Sequence, residues 1–183
     1  MRIIAGKWRG RMLKTPKSDV TRPTSDRARE ALFSMLESRM GSLEDLRVAD
    51  IFAGTGALGL ESLSRGAAFS AFVEQDQDAC KILQANIDML KAKGETQVFA
   101  QPVSTLSPAR QAFDLLLFDP PYNSGGGGAL LEKLTRLGWA SPSAWASIET
   151  ARKETTSAGG WAVEAERTYG KSRITLLRRL AEG

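Results

Sequence analysis

The segment Val48–Gly59 constrains the fold of this 183-residue chain more than any other stretch. Its first part is apolar and predicts a buried strand that ends near Phe52, and its last part begins a helix around residues 57–65. The turn between them fits the pattern G-x-G-x-x-G, whose glycines allow a tight turn and a close approach of the backbone to a ligand. Because it stands between a strand and a helix, the pattern predicts a nucleoside-binding turn of an α/β fold. The three glycines are Gly54, Gly56 and Gly59.

Charged residues near this turn indicate which nucleoside it binds. Glu74 directly follows the next apolar strand, about twenty residues after the first glycine, where a carboxylate can accept both ribose hydroxyls. A dinucleotide oxidoreductase fits these features equally well. Asp50 could pair with the ammonium group of S-adenosylmethionine (AdoMet) but would repel a pyrophosphate, so it favours AdoMet; the alternative is a helix-capping or turn carboxylate. The residues expected around the cofactor are Asp50, Phe52, Gly54, Thr55, Gly56, Gly59, Glu74 and Gln101.

A second motif, Asp119–Tyr122, follows the apolar run 115–118, which predicts another buried strand of a parallel sheet. Its two prolines end the strand and fix an extended turn at the carboxyl end, where open α/β sheets bind ligands. The turn suits a flat ring with an exocyclic amine, because Tyr122 can stack on the ring while Asp119 and the Pro120 carbonyl accept the two N–H bonds. The alternative is a proline-rich turn with a surface tyrosine. The candidate catalytic residues are Asp119, Pro120, Pro121 and Tyr122.

The glycine motif, Glu74 and Asp119–Tyr122 together resemble the class I AdoMet-dependent amino-methyltransferases. The stretches 2–11 and 22–30 narrow this resemblance to the bacterial 16S rRNA guanine-N2 methyltransferases, and it covers nearly the whole chain. It implies a Rossmann-like fold, AdoMet as cofactor, and methylation of a guanine N2 amine of 16S rRNA in the small ribosomal subunit or its assembly intermediate. One position departs from the pattern, because Gln101 stands where such enzymes often carry Asp or Asn to bind the adenine amine.

Positive charge is concentrated at the amino terminus. Residues 1–30 hold nine Lys and Arg against three acids, whereas the rest of the chain holds sixteen against eighteen. Basic residues interleaved with Trp8 suit phosphate contacts and base stacking, so we expect this extension to bind RNA; the alternative is a solvated basic hairpin. A second basic cluster at residues 171–179 has the same two interpretations, RNA contact or ordinary edge-strand charge. The residues expected to contact RNA are Lys7, Trp8, Arg9, Arg11, Arg22 and Arg27.

The remaining pattern predicts a single α/β domain over residues 1–183. A basic β-hairpin and linker, 1–23, precedes a helix capped by Thr24 or Ser25, and the AdoMet-binding core covers 24–183. Alternating strands and helices predict a mostly parallel seven-stranded sheet, and a late strand pair with a two-residue turn predicts a C-terminal antiparallel hairpin. Predicted strands end near Phe52, Glu74, Ala100, Phe118 and Glu149, predicted helices cover 57–65, 77–92 and 127–138, and the hairpin strands cover 161–168 and 172–179.

Composition excludes several other classes of enzyme. The chain has no histidine and one cysteine, so His-based triads, His-ligated metals and internal disulfides are excluded, and we expect no metal site. Cys80 lies in a predicted amphipathic helix and is expected to pack in the core. No apolar stretch is long enough to span a bilayer and no secretory leader is evident, so we expect a cytoplasmic, monomeric protein. The glycine-rich stretch 125–128 is either a lid over the amine site or a simple flexible loop.

Two other functions stay open from the sequence alone. A DNA or RNA adenine-N6 methyltransferase could use the same Asp119–Tyr122 turn, although the chain has no long insertion for a separate base-recognition domain. An RNA-binding assembly factor with a vestigial cofactor pocket would not need Gly54, Glu74 and Asp119, whose presence argues against it. Binding of AdoMet separates the assembly factor from both enzymes.

Overall fold

The structure, a computed structural model, describes residues 1–17, 23–120 and 127–182, without the side chains of residues 23–25. The chain divides into two compact units, Met1–Thr105 and Leu106–Gly183. Each unit has its own sequence of elements and contributes buried apolar side chains. That the two act as one domain stays a prediction.

The first unit alternates helices with short parallel strands, as the sequence predicts. Its second strand pairs in parallel with the first and with the third, so the second strand is central within this unit. All three strands therefore end at one edge, which is where a ligand is expected in such a fold. The elements are α1 (Pro23–Met40), β1 (Arg47–Ile51), α2 (Ala57–Ser64), β2 (Phe69–Val73), α3 (Gln77–Met89) and β3 (Thr96–Phe99). The core includes Val48, Ile51, Leu60, Leu63, Phe72, Leu83 and Ile87.

Helix α1 begins earlier than the sequence pattern predicts. Thr24 or Ser25 is expected to cap it, but the helix already includes both residues and starts at Pro23. Proline suits a first helical position, because it lacks the N–H that would have no partner there and its φ is already helical. Although α1 is the longest described helix, neither it nor any other helix in the described ranges is long and apolar enough to cross a membrane.

The amino-terminal segment, residues 1–14, forms the predicted turn with very little strand. Its two arms meet in one antiparallel bridge, between Arg2 and Met12. Ile3 exchanges bonds with the other arm, donating to the Arg11 carbonyl at 3.0 Å and accepting from Gly10 N at 2.9 Å. The predicted β-hairpin is thus reduced to a single bridge, and the buried side chains of Ile3 and Leu13 hold the segment against the rest of the unit.

The second unit contains the antiparallel hairpin that the sequence predicts at its end. Strands β4 (Phe113–Phe118) and β5 (Ala140–Ala151) pair in parallel. Strand β7 (Ser172–Arg179) pairs antiparallel with both β5 and β6 (Trp161–Tyr169) and lies between them. Helix α4 (Gly127–Arg136) lies between β4 and β5 in chain order. The strands of the described residues form a seven-stranded sheet in the order β3-β2-β1-β4-β5-β7-β6, so the predicted mostly parallel, seven-stranded fold is confirmed.

Gly127 and Gly128 lie in helix α4, as the helix predicted over 127–138 requires, and not in the lid or loop that the glycine-rich stretch also suggested. Both are buried at the first turn of the helix. A Cβ atom on Gly128 would lie 2.0 Å from the Ser157 carbonyl oxygen, and one on Gly127 would lie 2.6 Å from a methyl group of Ile148. Glycine is therefore required here by close packing rather than by mobility. The preceding Gly125 and Gly126 lie outside the described residues.

Candidate active site

The glycine turn after β1 has the open backbone that a bound nucleoside requires. Gly54 and Gly56 adopt positive φ angles of 56° and 88°. A Cβ atom on Gly54 would meet nothing within 4 Å, so the space beside this residue is open. Phe52 also has a positive φ, 63°, which is rare for a bulky side chain and marks a strained bend directly after the strand. The chain thus turns sharply away from the sheet edge at this point.

The third glycine has a packing role. Gly59 lies within helix α2, and a Cβ atom there would come within 2.4 Å of the Phe72 ring and 2.6 Å of the Ser70 hydroxyl. Helix α2 therefore packs directly on strand β2. This close approach is the function that the third glycine of the pattern has in nucleotide-binding folds.

Glu74 holds the glycine turn in place as well as being the predicted ribose acceptor. One carboxylate oxygen accepts from Gly54 N at 2.8 Å, and the other accepts from Asp76 N at 2.9 Å. A carboxylate has about four lone-pair sites, so these two bonds leave acceptor capacity for hydroxyl groups. The side chain joins the ends of β1 and β2 at the edge where the sequence places the cofactor.

Asp50 makes the structural contact that was the alternative to its cofactor role. Its side chain is 1% exposed within β1, and its Oδ2 accepts from Gly59 N at 2.9 Å. The carboxylate thereby accepts from an N–H group in the first turn of helix α2 that has no partner within the helix. Its negative charge also interacts favourably with the positive, amino-terminal end of the helix dipole. Pairing of Asp50 with a ligand ammonium stays a prediction.

Gln101 and Thr55 complete the predicted cofactor set. The Gln101 side chain donates through Nε2 to the carbonyl and the hydroxyl of Thr105, at 3.2 and 3.1 Å. These bonds fix the amide so that its carbonyl oxygen can serve as the acceptor that an adenine amine needs. The Thr55 carbonyl accepts from the side chain of Asn86 at 3.0 Å, a contact that the sequence did not reveal.

The cofactor-binding part of the first unit fits AdoMet on these observations. The open space beside Gly54 allows the backbone to approach a ligand closely. The fixed carboxylate of Glu74 is suited to accept hydrogen bonds from ribose hydroxyls, and the amide of Gln101 is suited to accept one from the adenine amine. Among the described residues, no group of three or more His, Cys, Asp or Glu side chains could hold a metal ion. That these residues bind AdoMet stays a prediction.

The second unit presents the start of the predicted amine site. Strand β4 is buried over its last four residues, and Asp119 directly after it is exposed while Pro120 is buried. Pro120 is therefore anchored in the unit, and Asp119 beside it is open to solvent. Pro121 and Tyr122 lie outside the described residues, so their predicted roles stay predictions.

The residues predicted to contact RNA differ in the ion pairs and hydrogen bonds that they already make within the protein. Lys7 pairs with Glu95 at 3.1 Å and lies 4.5 Å from the centroid of the Trp8 ring, so its charge is partly compensated. Arg9 is exposed, and Arg11 makes only a long contact of 3.4 Å to the Met89 carbonyl. Arg27 is exposed on helix α1, and Arg22 lies outside the described residues.

The second basic cluster is largely neutralised by nearby acids. Arg173 pairs with Glu166 at 3.3 Å and Arg178 with Glu164 at 3.0 Å, both across the β6–β7 hairpin. Arg179 pairs with Glu182 at 3.3 Å. These contacts support the interpretation of ordinary edge-strand charge and leave the amino-terminal segment as the stronger candidate for an RNA contact.

Three polar residues that anchor the amino-terminal segment were missed in the sequence. Glu61 is fully buried, accepts from Ile4 N and Ala5 N at 2.8 and 3.1 Å, and is compensated by the guanidinium groups of Arg29 and Arg65. Polar residues at apolar helix positions were the available signal, since an acid within a mostly apolar helix is rarely buried without partners. The three anchors are Glu61, Ser64 and Asn86.

Cys80 is only partly buried, so the expectation that it packs in the core is wrong. We expect its thiol to react slowly with iodoacetamide at neutral pH. Burial raises the pKa of this thiol, and the carboxylates of Glu74 and Asp76 raise it further, so the reactive thiolate forms only at more alkaline pH. Alkylation rates, followed by mass spectrometry from neutral to strongly alkaline pH, give the pH at which half of the thiol is ionised. The same chain in denaturant is the control, and equal values in the two states would contradict the expectation.

Comparison with solved structures identifies the class of fold. The Escherichia coli protein yhhF, a candidate methyltransferase, matches with a TM-score of 0.86 and 34% identity, covering 100% of this chain and 99% of its own. A magnesium protoporphyrin IX methyltransferase (ChlM) of Synechocystis, solved with bound SAM, covers 86% of this chain and 80% of its own with a TM-score of 0.65. At 17% identity the latter shows the fold alone. The fold is that of the class I AdoMet-dependent methyltransferases.

The chain belongs to the family described as Conserved hypothetical protein 95, whose model matches residues 1–178. Its relatives include two named Ribosomal RNA small subunit methyltransferase D. The one from Escherichia coli K12 is 35% identical over 189 residues, which is 100% of this chain and 92% of the relative. The one from Haemophilus influenzae is 35% identical over 177 residues, covering 93% and 89%. The predicted family is confirmed, and with the fold it makes this chain a methyltransferase whose cofactor is AdoMet.

Proposed function

We propose that this protein transfers the methyl group of AdoMet to the exocyclic N2 amine of a guanine in the rRNA of the small ribosomal subunit. One structural observation carries the proposal: an exposed residue with a carboxylate side chain, Asp119, stands at the end of buried strand β4 and is followed by buried Pro120. An anchored acceptor of this kind suits an amine. The names of the relatives supply the class of nucleic acid.

The first unit provides the donor half of the reaction. Glu74 would accept the ribose hydroxyls with the lone pairs that Gly54 and Asp76 leave available, and Gln101 would accept from the adenine amine. AdoMet supplies an already activated methyl group on its sulfonium. The protein's task on this side is therefore to hold and orient the donor, for which a preformed loop is suited.

The second unit provides the acceptor half. A guanine amine is a poor nucleophile because its lone pair is conjugated with the ring. Hydrogen bonds from both amine N–H groups to the Asp119 carboxylate and the Pro120 carbonyl would favour a pyramidal nitrogen with its lone pair directed outward. A hydrogen bond to a charged acceptor contributes about 1.5–3 kcal/mol when desolvated. Tyr122 would stack on the base, and Pro121 would keep the turn extended.

The target base has to leave any stack to reach such a turn, which suits an RNA loop or an opened helix. So small a protein offers little surface for reading a nucleotide sequence. We propose that it recognises the shape of a preformed particle, through phosphate contacts of Arg9, Arg11, Arg22 and Arg27, with Lys7 and Trp8 beside them. A cytoplasmic location and a monomeric state fit this role and stay predictions.

Replacement of Arg9 and Arg11 by glutamine is expected to weaken RNA binding and to flatten its salt dependence. Each lost phosphate contact lowers the slope of log K against log salt by roughly 0.7–0.9, so the double variant should lose about 1.5. Affinity for small-subunit RNA, measured over a salt series, gives the slope directly.

The matched control replaces Arg173 and Arg178 by glutamine, which removes the same charge from residues that are paired with Glu166 and Glu164. We expect its salt slope to stay close to that of the unmodified protein. Equal slopes for all three proteins would contradict the assignment of the amino-terminal segment as the RNA-binding element.

The nature of the acceptor is tested by offering unmodified small subunits, free small-subunit rRNA and duplex DNA in parallel with labelled AdoMet. We expect label in the particle above free rRNA, and none in DNA. Label confined to DNA would instead favour the adenine-N6 methyltransferase, which could use the same turn. Absence of both AdoMet binding by calorimetry and label would favour the assembly factor.

A further inference from the structure

Asn86 is a fully buried amide on the apolar face of helix α3, between Leu83 and Ile87. A buried amide has to satisfy its donors and its acceptor, so its partners show what the position does. Those partners lie in two segments that are distant in sequence. They are the end of the amino-terminal segment and the glycine turn.

On the side of the amino-terminal segment, Asn86 pairs with both backbone groups of Lys14. Its Oδ1 accepts from Lys14 N at 2.7 Å, and its Nδ2 donates to the Lys14 carbonyl at 3.1 Å. This reciprocal pair fixes the chain direction at the point where the segment leaves its turn. One amide thus holds the carboxyl end of the segment.

On the side of the cofactor, the same Nδ2 donates to the Thr55 carbonyl at 3.0 Å. Thr55 lies between Gly54 and Gly56, the two glycines whose positive φ angles shape the turn. The orientation of the Thr55 carbonyl determines where the adjoining peptide groups point. The amide side chain is therefore shared between the turn that holds the donor and the segment that is expected to hold RNA.

We propose that Asn86 is a positioning residue that couples cofactor binding to the docking of the amino-terminal segment. The inference rests on the proposed function, because it takes the segment as the RNA-binding element and the glycine turn as the AdoMet site. AdoMet, by ordering the Thr55 peptide, stabilises the Asn86 amide in the orientation that also binds Lys14. By linkage, a segment fixed on RNA favours the ordered turn by the same factor.

The segment is suited to such a coupling because side-chain anchors, rather than pairing with a sheet, hold it against the rest of the unit. Its arms share one bridge, between Arg2 and Met12, and much of its docking consists of bonds to Glu61, Ser64 and Asn86. Local opening of such an element costs less than global unfolding, so its docked and undocked forms can be shifted by a ligand. Of the three anchors, Asn86 is the one bonded to the glycine turn.

The decisive variant is Asn86→Asp, which keeps the size of the side chain. The carboxylate can still accept from Lys14 N, but it has no N–H for the carbonyls of Lys14 and Thr55. Ser64→Ala is the matched control. It removes the bonds that Ser64 makes with Trp8 N, at 3.0 Å, and with the Ala5 carbonyl, at 2.6 Å, from the same segment without touching the turn.

The test is hydrogen exchange read by mass spectrometry on peptides covering residues 1–14 and 52–58, with and without AdoMet. In the unmodified protein we expect AdoMet to slow exchange in both peptides, by about fivefold in residues 1–14. The Ser64→Ala protein should exchange faster in residues 1–14 without ligand and still be slowed by AdoMet. The Asn86→Asp protein should be slowed only in residues 52–58, with AdoMet affinity reduced about tenfold.

A second variant tests the same contact in case the Asn86→Asp protein does not fold. Lys14→Pro removes the N–H that Asn86 accepts, at an exposed position, and Lys14→Ala controls for the lost charge. We expect the proline variant to lose the AdoMet effect on residues 1–14 and the alanine variant to keep it.

Failure of the inference is distinguishable from failure of the proposed function. If AdoMet binds and protects residues 52–58 of the unmodified protein but leaves residues 1–14 unchanged, the coupling is wrong and the cofactor site stands. If calorimetry detects no AdoMet binding, the proposed function falls and the coupling falls with it.

Discussion

An Asp119→Ala variant is expected to bind AdoMet as tightly as the unmodified protein and to lose nearly all turnover. The carboxylate is proposed to accept an N–H of the target amine, and its loss removes both a charge-assisted bond and the alignment of the nitrogen. We expect methyl transfer to fall about a hundredfold or more. Single-turnover transfer of labelled methyl to small subunits measures this directly, with AdoMet affinity taken by calorimetry on the same preparation.

Asp119→Asn is the matched variant, because it keeps the shape and one acceptor oxygen but not the charge. Its rate should lie between those of the alanine variant and the unmodified protein. A protein that loses AdoMet binding while bound enzyme still turns over normally would place Asp119 in the cofactor site instead. That result would remove the amine-binding role.

A Glu74→Ala variant is expected to show the largest loss of cofactor affinity. It removes the acceptor proposed for the ribose hydroxyls and the bonds that hold Gly54 N and Asp76 N at 2.8 and 2.9 Å. Loss of the two proposed hydrogen bonds from the ribose hydroxyls to this charged acceptor should weaken AdoMet binding by about a hundredfold or more. Calorimetric titration measures it, and thermal unfolding without ligand shows how much of the change is structural.

Asp76→Ala is the control for that variant. Asp76 caps helix α3 by accepting from Ala79 N at 2.9 Å, so its loss should cost about 1 kcal/mol of stability with little change in AdoMet affinity. If both variants lose stability equally and neither loses affinity, Glu74 is only a structural carboxylate. The proposed ribose contact would then be wrong.

Local sequence patterns predicted most of the fold because each depends on near neighbours. The strand before the glycine turn ends at Ile51 where Phe52 was expected, and the last hairpin, Trp161–Tyr169 with Ser172–Arg179, lies where the turn signal placed it. The start of helix α1 was placed too late, since the helix already includes Thr24 and Ser25. Gly128 fits both a loop and a helix in sequence. It lies in the first turn of helix α4, where the Ser157 carbonyl leaves no room for a Cβ atom.

The site was predictable in its residue types and not in its connections. The spacing from Gly54 to Glu74 indicated a carboxylate beside the turn, but not that this carboxylate also binds the turn's own N–H. The anchors of the amino-terminal segment were not predicted at all. Glu61 meets Ile4 across 57 residues and Asn86 meets Lys14 across 72, and such long-range pairs leave no local pattern.

The sequence also does not show which basic residues are paired with acids in the fold. In sequence, the clusters around Arg9 and around Arg173 both indicate phosphate contacts. Folding pairs Arg173 with Glu166 across a hairpin, whereas Arg9 is exposed and no acidic side chain among the described residues pairs with it. The distribution of charge along the chain therefore predicts a candidate RNA-binding segment. The ion pairs that neutralise the second basic cluster can be seen only in the folded structure.

We propose that methyl passes from AdoMet to a guanine amine of small-subunit rRNA. The most direct test incubates the protein with labelled AdoMet and unmodified small subunits, then digests the RNA to nucleosides and separates them by chromatography. The proposal predicts that the label runs as N2-methylguanosine and disappears with the Asp119→Ala variant. Label in N6-methyladenosine, or in guanosine methylated at any other atom, would contradict it.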